Sequence, residues 1–317
     1  MTEFSFPEWS GRDDGPGHEH ARWHSTVAPV DNNKPGFTLL GFVSDAGVRR
    51  NQGRPGAAQG PAAIRSALGS MAVHHDIALF DGGDAVVVDD ELEATQQRYG
   101  QALTQLLRQR KLTVGLGGGH EITWASYLGV RGAFPDARLG IINLDAHFDN
   151  RPSDQATSGT GFAQIIAAEA QQNRQSNIMT LGIAEAANTT HLFERARQSR
   201  IQWTTDDRWI TYPSEVGSAV AQLLDQVDLV YLTIDLDVLP AATAPGVSSP
   251  AAYGVPLPLV SAVIDHVAAS GKLVHADIAE LNPSFDRDNA TAAVAARFVD
   301  RLTTAERGKI LATSVVS

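Results

Sequence analysis

The sequence contains no cysteine, so no disulfide braces the fold and no thiolate binds a metal. Any transition-metal site must be built from histidine and carboxylates. A cytoplasmic setting is expected, because the acidic opening MTEFSFPEWSGRDDGPGHEH has no apolar signal core. No stretch approaches the roughly 18 apolar residues of a membrane span, so a membrane is not an expected partner. Basic residues are short of acidic ones, 25 against 36, and no run of Lys and Arg offsets the formal charge of −11. The basic face of a nucleic-acid footprint is therefore not expected, which leaves a small-molecule partner; assembly into a homo-oligomer stays open. Long linkers and internal repeats are missing too, so the 317 residues read as one large domain rather than two. Hydrophobic residues at 43% and charged residues at 19% provide for a substantial core and argue against general disorder.

Residues 1–36 are polar and rich in Gly, Pro and His without sustained periodicity, and read as an irregular N-terminal arm ahead of a domain spanning 37–317. Beyond them, short apolar runs alternate with helix-like segments. The runs are Thr38–Val43, Leu112–Leu116, Leu139–Leu144, Ile178–Ile183, Leu229–Leu236, Leu273–Ile278 and Ile310–Val316. The helical segments include Pro61–Leu68, Leu92–Arg110, Phe162–Gln172, Glu215–Asp225, Pro258–Ala269 and Ala290–Leu302. Strands buried on both faces and alternating with helices imply an α/β fold, a three-layer α/β/α domain with a mainly parallel central sheet.

Polar groups suited to metal binding stand where three of the runs end: Gly117-Gly118-Gly119-His120, Asp145-Ala146-His147-Phe148-Asp149 and Asp235-Leu236-Asp237. In extended chain, residues two apart share a face, so Asp145, His147 and Asp149 are expected to converge, and Asp235 and Asp237 likewise. Ligands of open parallel sheets bind beyond the carboxyl ends of the strands, where all three segments would lie. Four carboxylates crowded together repel unless protonated or neutralised, and two divalent cations cancel four negative charges. Oxygen and imidazole donors favour Mn²⁺ or a close relative, with Zn²⁺ and Co²⁺ also compatible. Two such ions about 3.5–4 Å apart share and acidify a bridging water, which makes a hydrolytic centre.

Each segment alone has a plainer reading. Asp-X-Asp after a strand is often turn chemistry, and Gly115-Leu116-Gly117-Gly118-Gly119-His120 is close to a phosphate-cradling loop, but with His where the dinucleotide fingerprint needs its last Gly. The remaining histidines lack a partner pattern. His18, His20 and His24 read as solvated, His74 and His75 as loop or strand-edge residues, and His275, in an apolar run, as a satisfied core residue.

These segments, in this order and followed by Asp277-Ile278-Ala279-Glu280-Leu281-Asn282-Pro283, resemble the ureohydrolases, the family of arginase, agmatinase and formiminoglutamase. The resemblance implies an arginase-like fold and two Mn²⁺ per chain, one held by His120, Asp145, Asp149 and Asp235, the other by Asp145, His147, Asp235 and Asp237. Asp145 and Asp235 would bridge. Arginases and agmatinases usually carry a His, followed by Gly, shortly beyond the Asp-Ala-His-X-Asp segment. Ser158-Gly159-Thr160-Gly161-Phe162 stands there instead and is similar to the formiminoglutamase subgroup, as is the stretch from Gly47 to Ala57 before Gly60-Pro61. The implied reaction is hydrolysis of N-formimino-L-glutamate to glutamate and formamide by metal-bridging hydroxide. Asp149 would carry the proton to the leaving nitrogen and Glu280 would pair the cationic formamidine. Arg49, Arg50 and Arg54 would grip the carboxylates, since guanidinium binds carboxylate bidentately, and Ser158 would orient the substrate. Two other readings stand beside this one: a sibling enzyme releasing urea from a guanidino compound, and a catalytically silent binding protein on the same fold.

Overall fold

The computed structural model describes residue 4 and residues 6–109 and 111–305. Its centre is a nine-stranded sheet: β1 (Ala28–Pro29), β2 (Gly36–Val43), β3 (Leu79–Val86), β4 (Lys111–Gly117), β5 (Leu139–Leu144), β6 (Asn177–Ile183), β7 (Gln202–Thr205), β8 (Leu229–Asp235) and β9 (Leu273–Ala279). They lie in the order β1-β3-β2-β4-β9-β8-β5-β6-β7, and every pairing is parallel. The apolar runs become strands because both sheet faces are covered, so side chains pointing either way reach a core. On β8, Val230, Leu232 and Ile234 enter one core with the helices Gly60–Gly69, Pro213–Gln226, Leu257–Ala269 and Ala290–Leu302. Tyr231 enters the other with Leu92–Arg108, Ile122–Ala133, Gly161–Gln171 and Thr190–Gln198. The domain thus has the three layers expected. The run Ile310–Val316 lies outside the described residues, as does Arg110 at the expected end of its helix.

Two departures have physical causes. β3 reads Leu-Phe-Asp-Gly-Gly-Asp-Ala-Val, with no apolar run to mark it. Its acids are paid for by tertiary partners, Arg65 donating to Asp81 and Asp84 at 2.7 Å each. The segment before residue 36, read as an irregular arm, is irregular at its start but docked further on. Trp23 is fully buried, its backbone N–H donates to Met71 O at 3.0 Å, and β1 forms the sheet edge.

His275 on β9 is the satisfied core residue anticipated. It is fully buried, with Thr113 Oγ1 2.7 Å from Nδ1 and Ser126 Oγ 3.0 Å from Nε2. Burial pushes its pKa down to about 4, against the pull of Asp277. An unfolded chain binds the proton that this site refuses, so stability falls as pH drops from the ordinary histidine value toward 4 and changes no further below it. The loss should be about 3 kcal/mol from this residue. Urea midpoints measured across that window should move less for His275→Gln than for wild type; parallel curves would assign the acid sensitivity elsewhere.

Candidate metal centre and substrate cleft

The carboxyl ends of four adjacent strands, β4, β9, β8 and β5, open into one cleft. β4 leads to His120, β9 to Glu280, β8 ends in Asp235 with Asp237 just beyond, and β5 delivers Asp145, His147 and Asp149. The glycines before His120 serve close packing rather than phosphate binding: a Cβ on Gly118 would sit 1.8 Å from Ser44 O, and one on Gly119 2.1 Å from Glu121 Oε2.

Side-chain alternation along a strand is not what makes the acids converge. β5 stops at Leu144, and the Asp145–Asp149 segment is loop, with Asp149 at φ 43°. Asp237 lies in the 3₁₀ turn Leu236–Val238. The acids fold the chain onto themselves: Asp145 Oδ1 accepts from His147 N at 2.6 Å and Asp235 Oδ1 from Asp237 N at 2.9 Å. The turn chemistry and the ligand geometry are thus the same feature. Glu280 also holds positive φ, 68°. Non-glycine residues in that region cost on the order of 1–3 kcal/mol each and collect where function requires them.

His120 is 1% exposed, and its Nδ1 lies 2.9 Å from Asp149 Oδ2, 3.3 Å from Asp145 Oδ2 and 3.4 Å from Asp235 Oδ2. His147 Nδ1 lies 3.0 Å from Asp237 Oδ2 and 3.6 Å from Asp145 Oδ1. Candidate ligand atoms within 4.8 Å of one another form two groups, His120–Asp145–Asp149–Asp235 and Asp145–His147–Asp237. Asp145 is shared. Asp235, expected in both sets, falls in the first group only.

Electrostatics shows why cations fit. Burial would lower the pKa of both histidines, but the surrounding carboxylates raise both well above the ordinary value. Burial pushes Asp235 and Asp237 up; the charges of Asp237 and Asp145 add to the effect at Asp235, and that of Asp145 at Asp237. Glu280 rises to about 8, through burial first and then the charge of Glu121. Buried carboxylates in such excess hold protons or need cations, and this donor set, hard oxygens with two imidazoles, suits divalent metals.

A cavity of about 300 Å³ opens over the cleft, lined by Asp149, Asp235, Asp237 and Glu280 and by Arg54, Arg151 and Ser158 among others. Of the three arginines singled out from sequence, Arg49 and Arg50 do not line it. Arg49 pairs with Asp45 and Asp90, and Arg50 with Asp90 at 3.2 Å and Glu93 at 2.7 Å. These acids hold both guanidinium groups away. Arg54 does reach the cavity, but its guanidinium bonds Ser248 O and Val247 O and stacks on Phe285. Ser158 Oγ accepts from Asn51 Nδ2 at 3.1 Å, a side-chain partner rather than a backbone one. Sequence reading missed Arg151, whose Nη1 meets Asp149 Oδ1 at 3.3 Å. Its position two residues after a proposed ligand was the available signal. It also missed Thr233, two residues before Asp235, and Asp277, quoted in a motif without a role.

The sequence model of the arginase family matches residues 36–304. The formimidoylglutamase of Rhodococcus opacus is 48% identical over 304 residues, covering 94% of this chain and 95% of its own. Among solved structures, the formimidoylglutamase of Bacillus subtilis superposes with a TM-score of 0.82 at 20% identity, covering 90% of this chain and 92% of its own. The Trypanosoma cruzi formiminoglutamase crystallised with Mn²⁺ gives 0.78 at 24% identity, covering 90% and 98%. At those identities the two structures speak to the fold alone.

Proposed function

The chain belongs to the arginase family, and from that premise we propose that it hydrolyses N-formimino-L-glutamate to L-glutamate and formamide, a step of histidine degradation, in the cytoplasm. The observation that carries the substrate choice is the mixed charge of the cavity lining, in which the carboxylates Asp235, Asp237 and Glu280 stand together with Arg54 and Arg151. The substrate carries both complementary charges, an amidinium at one end and two carboxylates at the other. The 48% identity to a formimidoylglutamase over nearly the whole chain supports the same choice.

Two Mn²⁺ ions, held by the His120 and His147 groups with Asp145 common to both, would supply a water acidified to the neutral range. The remaining work belongs to side chains. Glu280, whose Oε1 accepts from His120 N at 2.8 Å, faces the cavity, and the positive charge of the amidinium would draw it into the ionised form that burial disfavours, so that it pairs the amidinium. Ser158, held by Asn51 and facing the same cavity, orients the substrate. Water adds to the formimino carbon and the bond from that carbon to the glutamate nitrogen breaks. The nitrogen leaves only after gaining a proton. Asp149 carries that proton from the attacking water, a positioned acid–base role that contributes roughly 10² to 10⁴-fold.

The test is a substrate panel with Mn²⁺-loaded protein. Formiminoglutamate should be consumed with equal release of glutamate and formamide, far faster than arginine or agmatine. A decarboxylated amine offers a cationic clamp nothing to hold. Urea released from a guanidino compound at the higher rate would move the chain to a sibling activity, and no turnover of any member would leave a binding protein.

A further inference from the structure

Behind His120 a column of polar side chains runs down into the sheet. β8 and β9 pair with Tyr231 opposite His275 and Thr233 opposite Asp277, so the register itself stacks these side chains on one face. Asp277 is fully buried and accepts three hydroxyls at 2.6 Å each, from Ser126 and Tyr231 at Oδ2 and from Thr233 at Oδ1. Thr233 Oγ1 also lies 2.9 Å from His120 Nε2. We infer that Asp277, acting through the Thr233 hydroxyl, dictates which nitrogen of His120 faces the carboxylate cluster, and so is a positioning residue for the metal centre although it touches neither of the two ligand groups.

A hydroxyl has one proton to give, and Thr233 gives its proton to Asp277. Its oxygen can then only accept, so the partner nitrogen, Nε2, must carry a hydrogen. The bond made by one ring nitrogen sets the state of the other, so when a cation takes the place of the second proton the lone pair it meets is on Nδ1, the atom within 3.4 Å of Asp145, Asp149 and Asp235. The reversed ring state would aim an N–H at the cluster and could not ligate. The polarity originates at Asp277, since Tyr231 and Ser126 occupy its other oxygen as donors and leave Oδ1 to Thr233. Outer partners that orient a ligating histidine typically alter metal affinity by 10- to 100-fold. This inference does not depend on the identity of the substrate.

Thr233→Val keeps the shape and removes the hydroxyl. In Mn²⁺ titrations of the whole chain, it should weaken one of two metal ions by roughly 10- to 100-fold and spare the other. Thr233→Ser should bind both as wild type does. Tyr231→Phe, which removes a different donor from Asp277, should lower the melting temperature without changing either affinity. Wild-type affinities in Thr233→Val would overturn the inference, and so would an equal loss in Tyr231→Phe, which would mark a merely structural network. Should Thr233→Val fail to fold, nitrogen-15 spectra of the Zn²⁺-loaded wild-type protein decide. They should show His120 protonated at Nε2 and bare at Nδ1, and the opposite assignment would overturn the inference.

Discussion

Asp145→Asn should leave the chain folded and nearly inactive, with both metal ions lost or greatly weakened. Asp145 is the one side chain common to both candidate ligand groups. Its two oxygens divide the work, Oδ2 lying toward His120 and Oδ1 toward His147. Asparagine keeps one oxygen and replaces the other with a donor, so one cation loses its ligand outright and both lose a unit of compensating charge. A drop of at least about 10³-fold in kcat/KM, on the order of 4 kcal/mol, is expected. Asp235→Asn should remove chiefly the ion of the His120 group, because Asp235 belongs to that group and not to the other. Metal analysis distinguishes them: wild type should approach two equivalents of Mn²⁺, Asp235→Asn about one and Asp145→Asn fewer. An active Asp145→Asn protein with two equivalents would remove the basis for a shared carboxylate. Circular dichroism must accompany the measurement, since Asp145 also accepts from Asn143 Nδ2 at 3.1 Å.

Arg151→Ala should raise KM for formiminoglutamate by about 10- to 100-fold, the value of one charge-assisted hydrogen-bonded contact of about 1.5–3 kcal/mol. Arg49 and Arg50 are bound to acids outside the cavity, and the guanidinium of Arg54 is committed to two backbone carbonyls. Arg151 has one long contact, at 3.3 Å to Asp149, and is the better placed to trade a partner for a substrate carboxylate. If that contact is equal in the ground and transition states, kcat stays put. An N-alkylformamidine without carboxylates should be insensitive to the change. Arg151→Lys should fall between, because an ammonium keeps the charge but not the planar fork. Because Arg151 touches Asp149, the metal content of each variant must match wild type before its KM is interpreted. An unchanged KM in Arg151→Ala with a large rise in Arg54→Ala would relocate the clamp while leaving the reaction assignment intact.

Much of this could be read in advance where one local signal determines one outcome. Leu139–Leu144 and Leu229–Leu236 are apolar without alternation, and only a strand covered on both faces tolerates that. β3 could not be read this way, because Asp81 and Asp84 look like loop residues until Arg65 is seen against them. The helix Ile122–Ala133 was hidden for a related reason. Its Gly129 weakens the local helix signal but admits Leu103 of the neighbouring helix, to which an added Cβ would come within 2.5 Å. In the site, the ligand residues were legible because carboxylates and imidazoles in dense motifs at strand ends have few other uses. The arginines were not. A guanidinium on a long side chain serves whichever carboxylate comes within reach, and reach is a tertiary property.

By itself, then, the sequence determined the layered parallel fold, the absence of thiolate chemistry and the identity of the acids and histidines that meet, the first from periodicity, the second from composition and the third from dense motifs where apolar runs end. Tertiary structure alone decided the rest: that the candidate ligand atoms gather into two groups sharing Asp145, that Arg151 rather than Arg49 or Arg50 faces the cavity, and that Asp277 reaches His120 through Thr233. Those facts depend on strand order and register, which bring β4, β9, β8 and β5 side by side from four separate stretches of chain. Hydrogen bonds and charge pairs decay within a few ångströms, whereas residues such as Ser126 and Asp277 are separated by 151 positions in sequence.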